Sequence, residues 1–288
     1  MFRTEAGAGG GPDIIVDVLR TYPPPLAVLV ASLLSRRLGP RAGGFFIGLP
    51  TTSVPFLLAV HLSMGGEAAE HAAGGNVTGQ LTCVLFCLLF ARLAPLTGGV
   101  RTMLIAVTLA ASLSAPTLLL HTPLAIAALV VVLAAVGLLL RGGETAASDP
   151  ARPEPRWALP ARMGLVALVV VTLSSLAPHV GPTLAAFLAS LPTILMVLGP
   201  LTHRAQGPVV ASSLVSGCVG SVPGTVAYLV GFLLIAPSLG PGLALVAALA
   251  AIPAGVLVTS AVAWLMRPAG RWVGPGMRRV LRPAFGGA

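Results

Sequence analysis

Lysine is absent from this chain, and charge of any kind is scarce. Only 9% of the 288 residues are charged, where a soluble domain has about a quarter, so an ordinary water-facing surface is excluded. With 56% hydrophobic residues and a mean hydropathy of +0.96, the expected fold class is an all-α integral membrane protein. Cysteine is limited to Cys83, Cys87 and Cys218, all in apolar segments. Cys83 and Cys87 share a helix face at i, i+4 spacing, but no further Cys or His stands near them in sequence to complete a metal site. They read as small buried hydrophobes, so no metal and no cofactor is expected. A G-x-x-x-x-G-K-[ST] loop is missing, which excludes ATP hydrolysis by this chain. Equally missing is a nucleophile–base pair or an acidic cluster at membrane depth, which argues against an intramembrane enzyme. Asp13 and Asp17 have a D-x-x-x-D spacing, but they precede every apolar span and carry no such chemistry.

The charge that is present is arginine. A net charge of +9 raises the question of nucleic acid, yet the arginines lie between and after apolar runs and read as topology signals. A crossing helix needs about 20 apolar residues. Nine stretches qualify: 25–38, 42–61, 69–91, 100–119, 123–140, 163–178, 184–202, 209–235 and 242–266. Arginine follows the first, third, fifth, seventh and ninth of them and never the others; Arg3 and Arg20 in the N-terminal tail are the exceptions. Cytoplasmic loops carry the positive excess. The expected topology is therefore a multi-pass protein of the plasma membrane, N-terminus outside and C-terminus in the cytoplasm.

Shifted by 142 residues, the chain matches itself. Gly39/Gly181, Pro40/Pro182, Phe45/Phe187, Leu49/Leu191, Pro50/Pro192, Thr51/Thr193, His61/His203 and Gly65/Gly207 pair without a gap, and Ala69/Ala211, Gly75/Gly217 and Val77/Val219 extend the match. These eleven identities over residues 39–77 compare with roughly four expected by chance for so alanine- and leucine-rich a chain. Five spans separate the two starts, and an odd number turns the second copy upside down. The expected architecture is a 5+4 inverted-topology repeat, as in many secondary transporters: a flexible outer tail at 1–24, repeat one at 25–140, a cytoplasmic linker at 141–162, repeat two at 163–266 and a basic tail at 267–288.

Inside the second and seventh spans stands the same Leu-Pro-Thr triplet. A helix-interior proline costs about 3 kcal/mol or more, and here it falls about 12–14 Å of helix rise into each span, close to the middle of a hydrocarbon core about 30 Å thick. Backbone groups freed there are tolerated only against protein or a water-filled cavity. The expected substrate site is thus built from Pro50, Thr51, Thr52, Ser53, Pro192 and Thr193. His61 and His203, at the ends of the same two spans, are candidate gates or proton relays. Glu67, Glu70 and His71 share one face at the outer start of the third span, where acids suit a helix N-terminus. Gly74, Gly75 and Gly217 read as close-packing positions. No Asp, Glu, Lys or Arg lies in mid-span, so coupling by buried charge is excluded.

The function expected is secondary transport of a small neutral or zwitterionic polar molecule, with export ahead of uptake because the sequence contains no receptor or binding domain. Two alternatives stand beside it: a translocase for a lipid-linked intermediate, whose anionic head group calls for arginine within the spans, and a non-catalytic accessory subunit. The partners expected are the small-molecule substrate and the lipid bilayer, with a homo-oligomer left open and nucleic acid excluded.

Overall fold

A computed structural model describes residues 23–120, 122–140 and 180–271, together with Pro160, Met163, Gly164 and Leu168. The expected tail apart from Pro23 and Pro24, which open the first helix, the linker apart from Pro160, most of the sixth expected span and the basic tail beyond Arg271 lie outside the described residues. Among these residues every regular element is a helix. In chain order they are α1 (Pro23–Leu38), α2 (Pro40–Gly48), α3 (Ser53–Met64), α4 (Gly66–Leu93), α5 (Gly99–Ser114, continued by a 3-10 turn Ala115–Leu119) and α6 (Pro123–Leu140). Then follow α7 (Pro182–Ala189), α8 (Thr193–Gln206), α9 (Pro208–Leu239), α10 (Pro241–Ala247) and, after the 3-10 turn Ala248–Ala250, α11 (Ala251–Arg271).

Six stretches are long and apolar enough to cross a membrane: Pro40–Met64, Gly66–Leu93, Gly99–Leu119, Pro182–Gln206, Pro208–Leu239 and Pro241–Met266. The nine expected spans are therefore met in part. Pro123–Leu139 is apolar but shorter. With 16 residues, α1 gives about 24 Å of helix, less than the roughly 30 Å core, and it ends in Arg36 and Arg37. The last helix runs to Arg271, so it continues into the stretch read as basic tail.

Punctuation by glycine sets the helix starts. Gly39, Gly65, Gly181, Gly207 and Gly240 have φ between 77° and 93° with ψ between 153° and 178°, a backbone region open essentially to glycine alone. Proline follows four of the five at the first helical position, where its missing N–H costs no bond and its φ is preset. Gly39/Gly181 and Gly65/Gly207 stand 142 residues apart, and Gly240 stands 142 residues after Gly98, the residue that caps the start of α5.

The two long helices form the middle of the molecule. Their fully buried residues include Val77, Val84, Phe86, Phe90, Val215, Val219, Leu229 and Phe232, and large apolar side chains stay exposed on the outer helices, such as Leu104, Leu113, Leu257 and Trp264, as a lipid-facing surface requires. The helices α4 and α9 run antiparallel: Cys83 lies against Cys218, and farther along, Ser212 donates to the Ala91 carbonyl. By contrast, α2 runs parallel to α9, with Gly44 against Leu214 and Gly48 against Cys218 and Ser221. In the same manner α7 runs parallel to α4, with Thr183 against Gly75 and Ser190 against Gly79.

These contacts are reciprocal. A Cβ on Gly75 would run into the Thr183 carbonyl oxygen, and one on Gly217 would run into that of Arg41. Adding 142 to Gly75 and subtracting it from Thr183 converts the first contact into the second. Gly79 against Ser190 converts likewise into Ser221 against Gly48. Gly75 and Gly217 are thus close-packing positions. Gly74 is not: a Cβ there would meet nothing within 4 Å.

The ends of the bundle differ in charge. Gly66 packs on Pro241, and His61 lies near Gly242, at one end, where Glu67 begins α4. At the other end Gly99 packs on Pro200 and His203, beside Arg101 and Arg204.

Candidate functional site

Each half of the fold breaks a spanning helix at its Leu-Pro-Thr triplet, and the two breaks follow one hydrogen-bond schedule. Thr51 N–H donates to the Leu49 carbonyl at 2.7 Å, and Thr193 N–H donates to that of Leu191 at 2.6 Å. Such an i+2 to i bond closes an inverse γ-turn around the proline. Pro192 has φ −73° and ψ 54°, near the turn's minimum of about −75° and +65°. Regular helix then resumes with Val54 N–H on Pro50 O and Met196 N–H on Pro192 O. Proline serves twice here, fixing φ for the turn and withholding the amide that would have continued the preceding helix.

The breaks leave four half-helix ends together: the carbonyl ends of α2 and α7 and the amide ends of α3 and α8. Gly48 O accepts from Thr225 Oγ1 on α9 at 2.8 Å. Most of the knitting is done by Asn76 on α4, which is 1% exposed. Its Oδ1 accepts from Ser190 Oγ at the end of α7 (2.6 Å), from Gln80 Nε2 one turn along α4 (3.1 Å) and from Ser53 Oγ at the start of α3 (3.3 Å). One side-chain oxygen therefore ties both breaks to one long helix.

Between the breaks lies a cavity of about 40 Å³. Thr52, Ser53, Pro192 and Thr193 line it, as do Gln80, Ser190, Thr225, Cys83 and Cys218. None of its lining residues is Asp, Glu, Lys or Arg. Gln80 falls at the middle of α4, and Cys218 and Thr225 flank the middle of α9, so the cavity sits at mid-depth of the long helices. A water needs at least about 10–15 Å³ of such space, so this state admits a few small polar molecules at most.

Of the six site residues expected from sequence, four line the cavity and two stand behind it. Pro50 is buried. Thr51 Oγ1 is buried without a hydrogen-bond partner; the γ-turn carries Leu49 and Thr52 to the cavity instead. Neither candidate histidine is there. His61 and His203 sit at opposite ends of the bundle, roughly 12–15 Å of helix rise beyond the breaks. His203 Nε2 is 2.8 Å from the Ala94 carbonyl, while His61 Nδ1 is buried without a partner. His203 also borders an open, mostly apolar cleft of about 480 Å³ at the arginine end, which suits lipid better than a polar substrate. At the opposite end His71 Nδ1 is 3.0 Å from the Glu67 carbonyl of its own helix, so His71 is engaged in helix-start chemistry.

Neither charge nor proline marks Asn76, Gln80, Ser190 and Thr225 in the sequence. A signal existed for the first two: an Asn and a Gln at i, i+4 inside an apolar span place two amides on one face. Cys218 gave no such signal, because its neighbours Cys83 and Cys87 are distant in sequence.

Two comparisons with known proteins are empty, since no curated protein and no solved structure matches the chain. Residues 18–122 are similar to a sequence family described as a protein of unknown function, DUF3147, a match that reaches through α5 and leaves α6 and everything after it uncovered.

Proposed function

We propose that the protein is a secondary transporter of a small neutral or zwitterionic polar molecule, which binds between the two Leu-Pro-Thr breaks. The carrying observation is that both breaks, 142 residues apart in sequence, line one buried polar cavity at mid-depth. Backbone groups released at that depth need partners, and a bound substrate supplies them. A cavity without charged side chains suits a solute of no net charge. It also disfavours the translocase reading, since a lipid-linked anionic head group needs compensating charge and far more room.

The inverted repeat belongs to the same reading. Reciprocal contacts are what a two-fold axis generates, and antiparallel α4 and α9 support an axis across the helices, in the membrane plane. Exchange of the two units about that axis is the motion that exposes the shared cavity to either side in turn. With the arginine end in the cytoplasm, the protein resides in the plasma membrane, and the N-terminus is outside if α1 crosses.

The test compares small metabolites inside and outside cells that have or lack the protein, with Pro50→Ala, Pro192→Ala and Thr193→Val as controls. One or a few polar solutes should redistribute with the wild-type protein. The proline variants should abolish the difference while reaching the membrane normally, because alanine favours helix by about 3 kcal/mol over proline and closes the break. Thr193→Val should weaken binding by roughly 1 kcal/mol, one hydrogen bond. Wild-type redistribution by all three variants would remove the breaks from the mechanism.

A further inference from the structure

Three thiols meet in the middle of the bundle. Cys83 and Cys87 lie one turn apart on α4, and Cys218 reaches them from the antiparallel α9; all three sulfurs lie within 4.8 Å of one another. Cys83 Sγ and Cys218 Sγ are 3.9 Å apart. All three residues are buried, and Cys83 and Cys218 border the central cavity. Among the described residues no His or carboxylate joins the group.

We propose that Cys83, Cys87 and Cys218 form a three-coordinate site for a soft monovalent metal ion, Cu(I). Three sulfurs at about 2.3 Å around one ion in their own plane stand about 4.0 Å apart, which the thiols already approach without an ion. Thiolate ligands select soft metals, Cu(I), zinc or iron–sulfur clusters, over hard ones. The charge decides among these. A divalent ion needs two thiolates for neutrality and, for zinc, a fourth ligand that this group lacks. Cu(I) needs one thiolate, and leaving a net charge at this depth is costly. Binding breaks one S–H bond and forms three S–Cu bonds, one from the resulting thiolate and two from lone pairs of the neutral thiols; the ion leaves its previous donors, the proton passes to solvent, and no oxidation state changes. The proposal is independent of the transport reading, because a resident ion here would brace α4 against α9 whatever passes beside it.

The purified full chain in detergent, kept anaerobic and reduced, is titrated with Cu(I) held by the chromogenic chelator bicinchoninate. One Cu(I) per chain should be withdrawn from the chelator, and Cys218→Ser should cut the affinity by about 100-fold. X-ray absorption of the one-to-one wild-type complex, which needs no variant, should show a shell of three sulfurs and no lighter ligand. The proposal is overturned if the chain withdraws no Cu(I), if Cys218→Ser binds as tightly as wild type, or if nitrogen or oxygen appears in the shell.

Discussion

Asn76 concentrates much of the polar order of the core in one atom. A buried donor left without an acceptor costs about 1–3 kcal/mol; Gln80 and Ser53 donate to its Oδ1, while Ser190 Oγ, with one proton, stands between that oxygen and the Ala186 carbonyl. Asn76→Leu should therefore destabilise the protein by about 2–4 kcal/mol after partial relaxation, read as a lower midpoint of thermal unfolding in detergent. Tyr228 presents the opposite case. Its ring is fully buried on α9, and its hydroxyl has no partner. Tyr228→Phe removes a desolvated group that returns nothing, and it should stabilise the protein by about 1 kcal/mol; a lower midpoint in the same assay would show that the hydroxyl is used. These two residues also mark how far the site was legible. Proline and threonine announced themselves by interrupting an apolar run. Asn76 carried no charge, so it passed as one polar residue among many, and its role depends on Ser190, 114 residues away. The thiol cluster was invisible for the same reason: helix periodicity pairs Cys83 with Cys87, while only the tertiary fold brings in Cys218.

Among the elements, the long helices and their glycines decide the packing. Gly75 and Gly217 each abut a backbone carbonyl of the opposite unit, so a methyl group at either place forces two helices apart. Gly75→Ala and Gly217→Ala should each cost about 1–3 kcal/mol, the usual penalty for overpacking, and the two costs should be similar because the contacts are reciprocal. Gly74→Ala is the control. It meets nothing within 4 Å, and alanine outranks glycine in a helix by roughly 0.8–1.0 kcal/mol, so that variant should be neutral or stabilised. Thermal midpoints of the three proteins check the set; a loss at Gly74 equal to that at Gly75 would assign the effect to something other than the interface. The helix starts were legible, because Gly-Pro pairs at fixed offsets mark them before any fold is known. Helix lengths were less so. Apolar composition alone does not say whether a run such as 25–38 crosses or stops short, since the answer depends on how many residues the helix recruits beyond its apolar core.

At the scale of the whole molecule, the antiparallel relation of α4 and α9 makes a prediction about sides. Ser63 precedes α4 and Ala205 precedes α9, and the two are equivalent under the 142-residue shift. Each long helix has more than the roughly 20 residues that a crossing needs, with 28 and 32. The residues before them lie at opposite ends of the bundle, one near Pro241 and the other near Gly99. If the repeat is inverted in the membrane, Ser63→Cys and Ala205→Cys must face opposite compartments. A membrane-impermeant maleimide applied to intact cells should label Ser63→Cys and Ser238→Cys. It should reach Ala205→Cys and Leu96→Cys only after permeabilisation. The native thiols are buried and add little background. The expected sides follow from arginine, which gathers at the Ala205 end and marks cytoplasmic loops. The two parts of the claim fail separately. Labelling of Ala205→Cys but not Ser63→Cys from outside would reverse the orientation and keep the inversion. Labelling of both from one side would end the inverted repeat, and with it the exchange of units on which alternating access depends.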